Sequence, residues 1–113
     1  MRPERLKILG KPFKVLWLTD ELDSSLNGEC DSDGQEIKVR DGLPVEQLQD
    51  TLLHEVIHAI DEAMDARMSE SQVKKLATGL LAVLKDNPRF GSFLKKKNAP
   101  AQRREQPGKP GDN

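Results

Sequence analysis

A single cysteine, Cys30, stands in the whole chain, and no intramolecular disulfide can form. No apolar run approaches the roughly 20 residues that a membrane-crossing helix needs. The amino-terminal stretch has no apolar segment followed by a cleavage site of the secretory kind, so a cytoplasmic location without a membrane partner is the expectation. Aromatic residues make up only 4 % of the chain and tyrosine is absent. The basic residues near the C-terminus, Lys95, Lys96, Lys97, Arg103 and Arg104, therefore have no interleaved rings on which bases would stack, and a nucleic-acid partner is not expected. Internal repeats are also missing.

What is present is short and polar. A chain of 113 residues has room for one domain, and its 35 % hydrophobic and 33 % charged residues leave a thin core that a bound metal could help to hold. The net charge of -1 conceals a segregation: from Asp20 to Glu70 there are fifteen acidic and three basic side chains, while both flanks are mostly basic. Such charges ordinarily form solvated faces.

The segment Phe13-Lys14-Val15-Leu16-Trp17-Leu18 is aromatic and β-branched enough to form a strand, with Trp17 as a core anchor. Glu29-Cys30 and Glu36 to Arg40 form a second pair of extended pieces around Asp33-Gly34, a turn signal resting on the ability of glycine to take positive φ. Asp31-Ser32-Asp33-Gly34 also has the look of a calcium-loop fragment, but the further acidic positions of that pattern are missing. Gly42-Leu43-Pro44 ends the strand. From Val45 the apolar residues Leu48, Leu52, Val56 and Ile60 recur at helical spacing, with Leu53, Ile57 and Met64 beside them, and predict a mostly buried helix. Ser69 and Gln72 have the form of a capping box opening a second helix through Val73, Leu76, Ala77, Leu80, Leu81 and Leu84, which ends near Asn87-Pro88.

The expected fold is α+β, a small antiparallel or mixed sheet of two to three strands packed on two main helices. A single domain over residues 1–94 is followed by a disordered basic tail over 95–113.

The first helix carries His54-Glu55-Val56-Ile57-His58, and these are the chain's only two histidines. Residues four apart share a helix face with their Cβ atoms about 5 to 6 Å apart, so both imidazoles can reach one zinc ion. Glu55 is turned about 100° from His54, which leaves its carboxylate beside the metal instead of on it. There it can take a proton from a water activated by zinc and pass it to a leaving amine. The apolar neighbours Leu52, Leu53, Val56, Ile57 and Ile60 argue against histidines placed by chance on a solvated helix.

At this point the sequence resembles the HExxH zincin metallopeptidases, and more narrowly the minimal ImmA/IrrE-like group, often associated with phages and mobile elements. The matching residues are Glu36-Ile37-Lys38-Val39, then Leu52-Leu53-His54-Glu55-Val56-Ile57-His58-Ala59, then Glu70 ahead of Leu76-Ala77 and Leu80-Leu81. The resemblance implies a zincin-like fold, a Zn2+ cofactor and hydrolysis of a peptide bond in a protein or peptide, with a transcriptional repressor as one candidate target. It also implies that Glu70, on the following helix, completes the zinc site, and that the strand at Ile37 to Val39 binds an extended peptide edge to edge.

Glu70 can reach His54 and His58 only if the first helix stops near Ala63 or Met64, since each further residue carries the chain about 1.5 Å onward. Asp61 lies on the histidine face and is the alternative third ligand, or a group that orients an imidazole. A zinc-stabilised structural or interaction protein without turnover is the competing function; Glu55 speaks against it, because a structural site needs no base. Removal of residues 95–113 should leave the melting temperature nearly unchanged, because ordering a polar tail costs about 1 to 2 kcal/mol per residue with little burial in return. Thermal unfolding of a chain ending at Leu94 measures this, and a large drop would mean that the tail packs.

Overall fold

A computed structural model describes residues 2–19 and 26–97, so most of the expected basic tail lies outside the described residues. The chain divides into two compact units, Met1–Val83 and Leu84–Asn113. In the first unit, strands β1 (Arg5–Ile8), β2 (Lys11–Leu18), β3 (Gly28–Asp31) and β4 (Glu36–Arg40) form one mixed sheet in the order β1-β2-β4-β3. They are followed by helix α1 (Val45–Met64) and helix α2 (Glu70–Asp86), which runs on into the second unit. The described part of that unit also contains the short helix α3 (Pro88–Leu94), with Pro88 at its first turn, where a missing N–H costs nothing.

The class is α+β as the composition and patterning imply, but the sheet has four strands instead of two or three, and a third helix is present. The additional strand, β1, pairs antiparallel with β2 through a two-residue turn in which Leu9 and Gly10 both take positive φ, 50° and 86°. That is the hairpin turn whose twist suits the strands, but leucine is a poor occupant of its first position, so nothing in the local sequence announces it. The β3–β4 hairpin is where Asp33-Gly34 places it, for a different reason. Positive φ falls on Gln35, and Gly34 instead gives its N–H to Asp31 Oδ1 at 3.0 Å. A Cβ at Gly34 would lie 2.5 Å from the other Asp31 oxygen.

The alternation of each strand decides its faces. Phe13 and Val15 of β2, Ile37 and Val39 of β4 and Ile8 of β1 are buried together with Ala59 of α1, while Lys14 stays exposed on the opposite face. Ile37 and Val39 are wholly buried, each stabilising the fold by about 1.5–3 kcal/mol. Leu48, Leu52, Val56 and Ile60 pack from α1 onto this cluster. A second cluster joins Ile57 of α1 to Val73 and Ala77 of α2, with Leu53 and Met68 against it. Helix α1 thus carries apolar contacts to the sheet and to α2, although only Thr51, Glu55, Ile57 and Ala59 are fully buried on it and Val45 and Met64 are exposed.

Gly28 sets how closely α1 lies over the sheet. A Cβ there would stand 2.6 Å from Thr51 Cγ2 and 3.0 Å from Glu55 Oε2, so only glycine lets β3 pass under the middle of the helix. Gly28→Ala should lower stability by about 1–3 kcal/mol through this overpacking. Chemical denaturation checks it, and an unchanged midpoint would mean that α1 shifts freely.

Candidate metal centre

Helix α1 ends at Met64, the position that a reach from Glu70 to the histidines demands. Asp65 takes a left-handed conformation (φ 51°, ψ 44°) and its N–H returns to the Asp61 carbonyl, which also accepts from Ala66 N at 3.2 Å. Aspartate tolerates this region better than most residues, and it ends the helix as a glycine would. Arg67, paired with Asp65 at the surface, is the second left-handed residue of the turn. Met68 N donates to Asp61 Oδ1 at 3.1 Å. The capping box then forms as its residues imply: Gln72 N donates to Ser69 Oγ at 3.1 Å and Ser69 N to Gln72 Oε1 at 2.8 Å. Glu70, the first residue of α2, is fixed by that box at a helix start, where a carboxylate is favoured.

The consequence is a tight meeting of three donors. His54 Nε2 is 2.8 Å from Glu70 Oε2, His58 Nε2 is 2.9 Å from Glu70 Oε1, and the two ring nitrogens are 3.1 Å apart. The rings stand edge to face, with centroids 4.8 Å apart. A tetrahedral zinc with nitrogen and oxygen ligands at about 2.0–2.2 Å holds them roughly 3.3–3.6 Å from one another, so an outward movement of a few tenths of an ångström fits an ion to these residues. His54, His58 and Glu70 are the grouping of possible metal donors among the described residues. Asp61, the alternative ligand, has its carboxylate on the Met68 amide instead and serves the turn that returns Glu70.

No family model, curated protein or solved structure matches the chain. Its chemistry is therefore read from its own side chains.

Glu55 is the most unusual of them. Its side chain is buried (7 % exposed) against β3, and no hydrogen bond among the described residues ends on its oxygens. Burial pushes its carboxyl above the ordinary carboxylate range; the neighbouring His54 and His58 oppose that rise, and Glu70 adds to it. It faces a cleft of about 450 Å³ that also touches Gly28, Cys30, His54, His58 and Glu70, and a neighbouring cleft of about 330 Å³ shares Glu55, His54 and Glu70. The Cys30 thiol is pushed up by its own burial, which disfavours the thiolate in metal-free protein.

One expectation requires correction. The strand from Ile37 to Val39 cannot receive a peptide along its edge, because β4 is paired with β2 on one side and β3 on the other. Among the described residues the free edge beside the histidine helix belongs to β3. Gly28 and Cys30, which line the cleft from that strand, carry no signal in the sequence that would have marked them.

In metal-free protein, the raised Glu55 carboxyl makes its ionisation unfavourable to the fold. Stability should be lost as pH rises from the ordinary carboxylate range through the raised folded value, since the unfolded chain ionises first. Glu55→Gln removes that loss, so the variant should melt higher than wild type at neutral pH, with the difference shrinking in acid. Melting curves against pH with a chelator present test this; equal melting at neutral pH would mean that the carboxylate is stabilised in the fold.

Proposed function

We propose that the chain is a zinc-dependent peptidase of the HExxH type, with His54, His58 and Glu70 as zinc ligands and Glu55 as general base. The observation that carries this reading is a buried carboxylate without a hydrogen-bond partner among the described residues, set one residue from a histidine whose ring nitrogen converges with two further metal donors. Burying such a group costs stability, and an acid–base role in a cleft gives a reason for it.

When bound, zinc supplies a Lewis acid for the scissile carbonyl and acidifies the attacking water. His54 and His58 stay rigid because they sit mid-helix on a segment packed against the sheet and α2. Glu55 takes the proton of the attacking water and returns it to the amine that leaves. Gly28 keeps the edge strand close enough to shield the carboxylate from bulk water. An extended substrate lies along the free edge of β3, backbone to backbone, with its scissile bond beside the three donors.

The minimal ImmA/IrrE-like peptidases remain the group that these residues resemble, and a repressor protein is the target that resemblance suggests. An intracellular site of action belongs to the same proposal. No helix among the described residues is long and apolar enough to cross a membrane.

A structural zinc site is the second reading. It is favoured by one observation, that the donors link α1 to α2 across an apolar contact whose buried members are only Ile57, Val73 and Ala77. The two readings part on Glu55. Glu55→Gln should retain zinc and lose hydrolysis of unfolded protein substrates by at least about a hundredfold, as removal of a general base does. Glu70→Ala should weaken zinc binding more than about tenfold while Asp65→Ala does little. Metal analysis beside a proteolysis assay measures both. Wild type without zinc would end the proposal; undiminished affinity in Glu70→Ala with loss in Asp61→Ala would move the third ligand to Asp61.

A further inference from the structure

The charges lining the cleft beyond the zinc donors are one-sided. Asp61 and Glu62 line the part that touches His58, and among the described residues the only cation on either part of the cleft is Lys74, which lines the other part together with Asp50. The basic residues of the acidic central segment do not line the cleft: Lys38 stands across from Glu29 on the sheet face turned away from α1, Arg40 belongs to β4, and Arg67 pairs with Asp65.

The fold accounts for most of these carboxylates but not for Glu62. Asp61 accepts from the Met68 amide and Asp65 ends the helix. Glu62 is exposed in the last turn of α1, where the helix dipole disfavours negative charge, no basic residue stands in that turn, and no partner among the described residues meets it. On the sheet face turned away from α1, Glu29 stands across from Lys38 and Asp31 accepts from Gly34 N, so the charge left unmatched at the cleft is that of Glu62. The cleft floor is Glu55, itself buried and without a hydrogen-bond donor.

We infer that the site selects cationic substrates, with Glu62 receiving a lysine or arginine side chain of the peptide on the His58 side of the scissile bond. This rests on the peptidase reading above. A cation there relieves the repulsion among Glu62, Asp61 and the helix end, and the surrounding negative field raises the rate of encounter with basic segments.

The test uses short alanine-based peptides carrying one lysine, norleucine or glutamate at successive positions. Hydrolysis is measured with zinc-supplemented wild type and equilibrium binding with zinc-supplemented Glu55→Gln. The lysine peptide should exceed the glutamate peptide by about tenfold or more at one position in both measurements, with the preference shrinking as salt is added. Glu62→Lys, whose new charge suits a helix C-terminus, should reverse that ratio. Because the readout is a ratio between two peptides, a general loss of fold cannot mimic it. Equal treatment of the lysine and glutamate peptides, or a ratio untouched by Glu62→Lys, overturns the inference even if hydrolysis proceeds. Selective binding of lysine peptides with no cleavage by wild type supports the cation site and removes the peptidase reading.

Discussion

An α-helix moves its end about 1.5 Å further away with every residue, and this constraint governs the site. Six residues after His58 the chain must turn, or Glu70 never returns to the histidines. The turn costs backbone energy, since Asp65 and Arg67 both occupy the left-handed region at φ 51° and 59°. Hydrogen bonds offset that cost. Asp61 contributes its carbonyl to Asp65 N and Ala66 N and its carboxylate to Met68 N, and Ser69 and Gln72 close the next turn reciprocally. A segment of five residues between two helices thus carries strain and its compensation together. Its product is a carboxylate bridging two imidazoles at 2.8 and 2.9 Å.

The same economy holds beneath the helix. Gly28 lets β3 approach so closely that Thr51 and Glu55 are buried against it, and Glu55 pays for that burial in ionisation. A fold selected for stability alone would place an apolar side chain at Glu55, where nothing among the described residues donates to it. Stability and reactivity pull in opposite directions at this residue.

The parts legible in the sequence were those with strong local codes. Helical spacing from Val45, the Ser69–Gln72 box and the strand at Phe13 to Leu18 each carry a period or a capping pair, and each occurs within elements of the expected type. The β1 hairpin was hidden because Leu9 occupies a position that usually calls for glycine or asparagine, and the sheet order was hidden because it is a long-range property. Ile37 and Val39 read as an edge strand; their complete burial and two-sided pairing follow from β3 passing beyond β4. Gly28 and Cys30 acquire meaning only once that edge lies under the histidine helix. Asp61 was legible as a polar residue on the histidine face, but its bond to Met68 depends on where the helix stops.

Whether a metal held here would turn over substrate or only tie helices together depends on what closes the ligand set. A structural zinc is normally sealed by a fourth protein ligand, whereas a catalytic one keeps a position open. His54, His58 and Glu70 come from two helices, and the side they leave uncovered is the cleft. Among the groups lining that side, the Asp61 carboxylate is committed to the backbone turn that delivers Glu70. Recruiting Asp61 as a ligand would loosen the segment on which the third ligand depends. The turn that assembles the donors therefore also withholds Asp61 from them, and this favours a site left open beside Glu55.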